Sequence, residues 1–269
     1  MKILNGRELA EFIKERQAHE VRSLRQARDI QPRLAIIVTI EHPAIDTYVR
    51  MKQRYGADIL VDVEVHRVAQ AEVPALIIRL NDDANVHGII VQLPLEDPSQ
   101  TDEIVDLVLP AKDVDALGVH ATLDPATPLA ILWLLAGYNV DLRGKKIVLV
   151  GRGKLVGAPL ERLLRTSEYD VEVVDRKTPD VASVVSQADI IVTATGVPGL
   201  VTSAMIKERS VVVDAGVAGE QGKTVGDLAD DVYERDDLTI TPRKGGVGPL
   251  TICALFDNVI RAARATATN

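Results

Sequence analysis

The sequence predicts an α/β protein built as two successive units, each carrying a mostly parallel sheet. Three observations lead there. Short, fully apolar β-rich runs alternate with longer amphipathic stretches from residue 7 to the end. The apolar runs lack the polar alternation of a half-exposed strand, which suits strands covered on both faces. The pattern restarts near residues 120–140 with sharper glycine punctuation, and no internal repeat or low-complexity linker is present.

The elements follow in order. Residues 7–29 carry Leu9, Phe12, Ile13, Val21 and Leu24 at helical spacing among many charges, so an amphipathic helix opens the chain. Pro32 precedes the first strand, Leu34–Ile40, and residues 45–58 return to helix. Val61–Val68 is the second strand, Pro74–Asn81 a helix with proline in its first turn, and Ile89–Val91 the third strand. Pro125–Gly137 reads as a helix bridging the halves. Lys146–Val150 is a strand, Gly151–Gly157 a glycine-rich turn and Ala158–Thr166 the helix after it. Val171–Asp175, Asp189–Ala194, Val211–Asp214 and Leu238–Thr241 supply four more strands. Leu250–Thr266 closes the chain as an apolar helix.

Composition narrows the function. The 269 residues hold 31 Lys+Arg against 39 Asp+Glu, a formal net charge of −8, with no long basic run, which argues against nucleic acid as the main partner. Only 8 of them are aromatic (one Trp, five Tyr, two Phe), so the core rests on Ala, Val, Leu and Ile. The lone Cys253, flanked by Thr251-Ile252 and Ala254-Leu255, is expected as a buried apolar residue, and no Cys/His cluster suggests a metal. The start, Met1-Lys2-Ile3-Leu4-Asn5-Gly6, is too polar for a signal peptide, and no apolar stretch reaches membrane-spanning length. The expected location is therefore cytoplasmic, with no membrane partner.

Five segments carry chemistry. Gly151-x-Gly153-x-x-x-Gly157 follows a strand and opens a helix, an arrangement that offers backbone N–H groups to a pyrophosphate; a plain tight turn is the alternative. Asp175 ends the next strand 24 residues after Gly151, where an acid accepts from a ribose 2′-hydroxyl, while Arg152, Arg176 and Lys177 nearby favour a 2′-phosphate. Tyr48 and Lys52, at i and i+4, share a helix face, either as a solvent-facing pair or converging on one ligand. Gln92 ends a buried strand before Leu93-Pro94-Leu95, where α/β proteins bind ligands. Asp115, in Pro110-Ala111-Lys112-Asp113-Val114-Asp115, is a ligand anchor or a turn residue. Gly245-Gly246-Val247-Gly248-Pro249-Leu250-Thr251 brings open backbone to the last helix.

In this order, these segments resemble the bifunctional methylenetetrahydrofolate dehydrogenase/cyclohydrolase family. The family's YVxxK, VQLPL, P-x-KDVD, PxTP, GRxxxVGxP and GGVGPxT patterns match Tyr48–Lys52, Val91–Leu95, Pro110–Asp115, Pro125–Pro128, Gly151–Pro159 and Gly245–Thr251. The resemblance implies a folate-binding α/β domain over residues 1–120, rejoined by the C-terminal helix 250–269. A Rossmann-like dinucleotide-binding domain spans 140–249, with a cleft between the two. It implies Lys52 as the catalytic lysine of the cyclohydrolase step, Tyr48 packing on the folate, Gln92 positioning the lysine and Asp115 holding the pterin. Gly248 and Pro249 fall at the folate, and Gly151, Arg152, Gly153, Val156, Gly157, Asp175, Arg176 and Thr195 at the cofactor. NADP is the expected cofactor, with NAD the alternative, and a homodimer the expected assembly. Rival expectations are an enzyme with one of the two activities lost, and a Rossmann nucleotide sensor without chemistry.

The chain departs from the family at several positions. Ile45 replaces a serine, Gly153 the serine of GRS, and Asp175-Arg176 a His-Ser pair whose serine contacts the NADP phosphate. Ala116 stands where glycine is usual, the loop from Asp115 to Pro125 is short, and Arg243-Lys244 replaces Val-Pro before the paired glycines.

Overall fold

The computed structural model describes residues 1–220 and 223–266. In chain order the elements are β1 (Lys2–Ile3), α1 (Gly6–Arg28), β2 (Arg33–Val38), α2 (Pro43–Asp58), β3 (Asp62–Arg67), α3 (Val73–Asp82), β4 (Gly88–Val91), α4 (Thr101–Val105) and α5 (Ala126–Gly137). Then come β5 (Ile147–Val150), α6 (Gly157–Thr166), β6 (Val171–Val174), α7 (Val181–Val185), β7 (Ile190–Thr193), β8 (Val211–Asp214), β9 (Ala218–Glu220), β10 (Lys223–Val225), β11 (Thr239–Ile240) and α8 (Val247–Thr266).

Two compact units result. One contains Glu11–Ala126 and the chain from Ile252 on; the other contains Met1–Ala10 and Thr127–Thr251. In the former, β3, β2 and β4 form a three-stranded sheet, parallel throughout, with Ile37 opposite both His66 and Val91. Every residue of β4 and all but the first of β2 is buried, as fully apolar strands require. Ala35, Ile37, Ile77, Leu80, Ile89, Val91, Leu95 and Ile104 centre one core cluster there.

The other unit carries a six-stranded sheet of order β1-β11-β8-β7-β5-β6, every neighbouring pair parallel. Val148, Val150, Ile191, Val212 and Ile240 anchor its core. A short antiparallel hairpin, β9 with β10, stands outside that sheet. Helix α5 is apolar around its circumference and buries Ala130, Ile131, Leu134 and Leu135.

Several boundaries differ from expectation. The first ten residues belong with the later unit rather than with residues 11–120, because Lys2 and Leu4 donate to the Leu238 and Ile240 carbonyls and make β1 an edge strand. Two residues of strand with no apolar run give no periodic signal. The tyrosine hydroxyl of Tyr138 accepts from the Asn5 amide at 3.0 Å and donates to its carbonyl at 3.2 Å, fixing the turn that follows. The first strand stops at Val38, before Thr39-Ile40, and the last helix starts at Val247 rather than Leu250. Gly248 and Pro249 therefore lie in a first helical turn instead of an entering loop. Cys253 is buried as expected, and it also accepts from the Tyr55 hydroxyl at 3.2 Å.

Candidate active site

In the unit of Glu11–Ala126, three elements meet at the carboxyl end of the sheet. Helix α2 begins at Pro43, with the imidazole of His42 accepting from Ala44 N, and carries Tyr48 and Lys52 one turn apart. Ile45 and Val49 point into the core, so the position where the family carries serine is here a packing residue at 6% exposure. Strand β4 delivers Gln92, whose backbone N–H donates to Ile37 O and extends the ladder by one bond. Asp115 follows Asp113, which makes an isolated parallel bridge with Ile89.

The structure brings Lys52, Gln92 and Asp115 together. Lys52 Nζ donates to Gln92 Oε1 at 2.8 Å, and the Gln92 amide nitrogen donates to Leu93 O at 3.1 Å, which fixes the amide so that its oxygen faces the lysine. Burial lowers the Lys52 pKa below the ordinary lysine range, and the charge of Asp115 opposes that only in part. Burial likewise raises the Asp115 carboxyl, with Lys52 opposing. Both groups are pushed toward their neutral forms. The Tyr48 side chain, 45% exposed, shares the helix face of Lys52 and bonds no described group.

The backbone that presents Asp115 is held by residues the sequence reading missed. Asp113, buried, accepts from Gly118 N at 2.8 Å and Leu117 N at 3.4 Å, closing the turn. Ala116 sits in that turn at φ 55, the left-handed region in which glycine is cheap and alanine is not. Asn258 on α8, fully buried, donates from Nδ2 to both Val114 O and Asp124 O at 2.9 Å. One amide thus ties both ends of the shortened 115–124 loop. An asparagine within the apolar run of the closing helix was the only signal the sequence offered.

In the other unit, β5 enters the glycine turn. Gly151 has φ 106, and a Cβ on it would meet Ala194 O at 2.6 Å. A Cβ on Gly157, where α6 begins, would meet Gly151 O at 2.1 Å, so only glycine lets the helix pack onto the turn. Val156 precedes it as the cap residue of α6, half-buried. Gly153 is exposed and faces open space, with nothing within 4 Å of an added Cβ. These are the features a bound pyrophosphate needs: a forced turn, close helix packing and one bare backbone face.

The charged residues around this turn have partners of their own. Arg152 Nε is paired with Glu161 at 2.8 Å. The Asp175 carboxylate caps its own turn by accepting from Lys177 N at 2.8 Å, so one of its oxygens is committed to backbone. Arg176 is exposed beside it. Thr195, after β7, is held by Asp227: Thr195 N and Val197 N donate to its two carboxylate oxygens at 2.7 and 3.0 Å. Asp227 is fully buried, and burial raises its pKa, with the charge of Asp214 adding to the effect. Asp214 in turn accepts from Gly216 N, Asp227 N, Leu228 N and the Thr193 hydroxyl. Gly248 is exposed and open around its Cα, in the first turn of α8. Among the described residues no cluster of His, Cys, Asp and Glu is arranged to hold a metal ion, and no helix is long and apolar enough to cross a membrane.

A parallel sheet with a glycine turn where β5 runs into α6, in a chain that also carries an α/β unit with a half-buried lysine, defines a two-domain dinucleotide-binding α/β protein. The comparisons then give the family. Residues 4–115 match the catalytic domain and residues 125–267 the NAD(P)-binding domain of tetrahydrofolate dehydrogenase/cyclohydrolase. The chain belongs to that family. It is 38% identical to the bifunctional protein FolD of a Nitratiruptor species, over 98% of each chain. Among solved structures, the bifunctional FolD dehydrogenase/cyclohydrolase of Campylobacter jejuni superposes with a TM-score of 0.93 at 35% identity, covering 98% of this chain and 99% of that one. The Trypanosoma brucei enzyme, solved with NADP cofactor and an inhibitor, gives a TM-score of 0.92 at 31% identity, covering 99% and 98%.

Proposed function

We propose that this protein oxidises 5,10-methylenetetrahydrofolate to 5,10-methenyltetrahydrofolate with NADP and hydrolyses that product to 10-formyltetrahydrofolate. Family membership supports both activities. The observation that carries the hydrolytic step is the 2.8 Å bond from Lys52 to Gln92 in a site where burial lowers the lysine's pKa.

The methenyl carbon is electrophilic because it shares the positive charge of an amidinium. Water adds to it and loses one proton to give a carbinolamine. The bond to N5 then breaks as N5 takes up a proton and the carbinolamine hydroxyl gives one up, which leaves the formyl group on N10 and N–H at N5. Neutral Lys52 accepts the water's proton, and Gln92 aims its nitrogen by holding one N–H. Protonated Lys52 would repel the cationic substrate as well as lack a lone pair, so the depressed pKa serves twice. Asp115 accepts hydrogen bonds from the N–H groups of the pterin edge. Tyr48, exposed one turn before Lys52, stacks on the folate ring.

NADP, when bound, accepts the hydride that leaves the one-carbon bridge. Gly151, Gly153, Val156 and Gly157 seat its pyrophosphate, Arg152 and Arg176 meet the 2′-phosphate, and Thr195 lines the turn after β7. Asp175 stays as the residue that would favour NAD were those cations removed. The dehydrogenase step asks only that the chain position two ligands, and no protein group needs to carry a proton in it. Family membership further supports a homodimer in the cytoplasm, supplying formyl groups to purine biosynthesis. Light scattering of the purified chain checks the dimer.

The experiment for the activity is a spectrophotometric assay that follows reduced nicotinamide and methenyl product separately, with NADP and with NAD. Reduction of NADP accompanied by decay of added methenyl-folate is the expected outcome. Absence of either activity overturns the corresponding half of the proposal.

A further inference from the structure

The two arginines proposed at the 2′-phosphate reach it from neighbouring strands. Val150 on β5 and Val174 on β6 are register partners, and Arg152 and Arg176 each lie two residues beyond them. Arg152 is not a free surface cation. Its Nε donates to Glu161 Oε2 at 2.8 Å, while Arg165, one turn further along α6, donates its own Nε to Glu161 Oε1 at 3.0 Å. The carboxylate is the sheltered member: its side chain is 13% exposed, against 59% for Arg152 and 53% for Arg165. Each carboxylate oxygen serves one guanidinium, and Arg152 keeps both terminal nitrogens free of any described partner.

The charge balance decides what this trio does. A pair of Arg152 and Glu161 alone would be neutral, and its carboxylate would repel a phosphate. Arg165 cancels that carboxylate, so the trio keeps one net positive charge, carried toward solvent by the Arg152 fork. Gripping an arginine by Nε removes its freedom to swing without consuming the two nitrogens that make a bidentate phosphate contact.

We infer that Glu161 is a specificity-determining positioning residue: it holds Arg152 in the orientation that meets the adenosine 2′-phosphate, with Arg165 as the cation that keeps the arrangement net positive. The inference rests on the reading of NADP as cofactor and of Arg152 as a phosphate contact. It explains why this chain uses NADP with Gly153 and Arg176 where the family's serines are missing, since a fixed arginine replaces lost hydroxyl donors.

The test measures KM for NADP and for NAD, and kcat with each, in Glu161→Ala, Arg165→Ala, Arg152→Ala and Glu161→Ala/Arg152→Ala. Glu161→Ala and Arg165→Ala each raise KM for NADP about threefold to tenfold, as expected for loosening one charge-assisted contact. KM for NAD and both kcat values stay unchanged, which a merely structural role in α6 would not allow. Adding Glu161→Ala to Arg152→Ala changes nothing further, because the positioned group is gone. Should Glu161→Ala fail to fold, Glu161→Gln, which keeps the side-chain volume, takes its place. An unchanged or tighter KM for NADP in the Glu161 variant, while Arg152→Ala still lowers the NADP preference, overturns this inference alone. An Arg152→Ala enzyme with an unaltered NADP-to-NAD ratio overturns the phosphate reading beneath it.

Discussion

Replacing Asn258 by leucine isolates the device that holds Asp115. Leucine is close in size, so the packing of α8 survives while both donated hydrogen bonds disappear. Each such bond contributes about 1 kcal/mol net, and the Val114 carbonyl left behind in a buried position adds about 1 kcal/mol. Asn258 Oδ1 has no partner in the folded protein, so removing it returns about 1 kcal/mol. The balance is a loss of about 2 kcal/mol, or a melting temperature lower by about 4–8 °C for a chain of this size. The 115–124 loop loses its tie at both ends, so the KM for methylenetetrahydrofolate rises several-fold. The dissociation constant for NADP, whose proposed contacts belong to the other unit, does not move. Thermal melting followed by calorimetry, with substrate and cofactor titrations on the same preparation, measures all three. A variant as stable as the parent, or one whose folate and NADP affinities fall together, refutes the reasoning.

Ala116→Gly removes a left-handed alanine. The gain is about 0.5–1 kcal/mol once the extra freedom of glycine in the unfolded chain is counted, read as a higher urea midpoint at unchanged slope. Cyclohydrolase activity rises with pH through an apparent pKa below the ordinary lysine value of 10.5, because Lys52 works only when neutral; a pH–rate profile that is flat or falls across that range counts against Lys52 as the base. The same lowered pKa makes the folded state bind fewer protons than the unfolded one below 10.5, so Lys52 costs stability that is regained as pH climbs toward that value. Arg152→Ala combined with Arg176→Ala lowers the NADP-to-NAD ratio of kcat/KM about ten- to hundredfold, the worth of one charge-assisted phosphate contact. A ratio that stays put returns the choice of cofactor to Asp175.

The parallel sheets were legible because burial on both faces leaves a plain mark: Ile36-Ile37-Val38, Ile89-Ile90-Val91 and Ile147–Val150 contain no polar residue. The i,i+4 spacing put Tyr48 and Lys52 on one face without any structure, and the position of Gln92 after a buried strand pointed to the ligand end of the sheet. What stayed hidden depends on contacts far apart in sequence. The strand β1 exists only because Lys2 and Ile3 find Thr239 and Ile240, and nothing local in two residues announces that. Asn258 and Asp227 each act through a pair of hydrogen bonds to backbone, more than 100 and about 30 residues away, respectively. Arg152 was readable as a cation near a phosphate site, but its partner was not, because Glu161 lies nine positions further on, across the glycine turn and into the helix. Charge counting along a sequence treats every arginine as free.

The central claim is that one half-buried lysine carries the hydrolysis while the oxidation needs no protein base. Lys52→Met tests it on a single preparation, since methionine fits the apolar stem and leaves the rest of α2 in place. Both activities are measured side by side: hydrolysis of added methenyltetrahydrofolate, and NADP reduction with methylenetetrahydrofolate. The account predicts that hydrolysis falls to the uncatalysed background while NADP reduction persists and methenyl product accumulates. Hydrolysis at the parental rate in a folded Lys52→Met protein would contradict it.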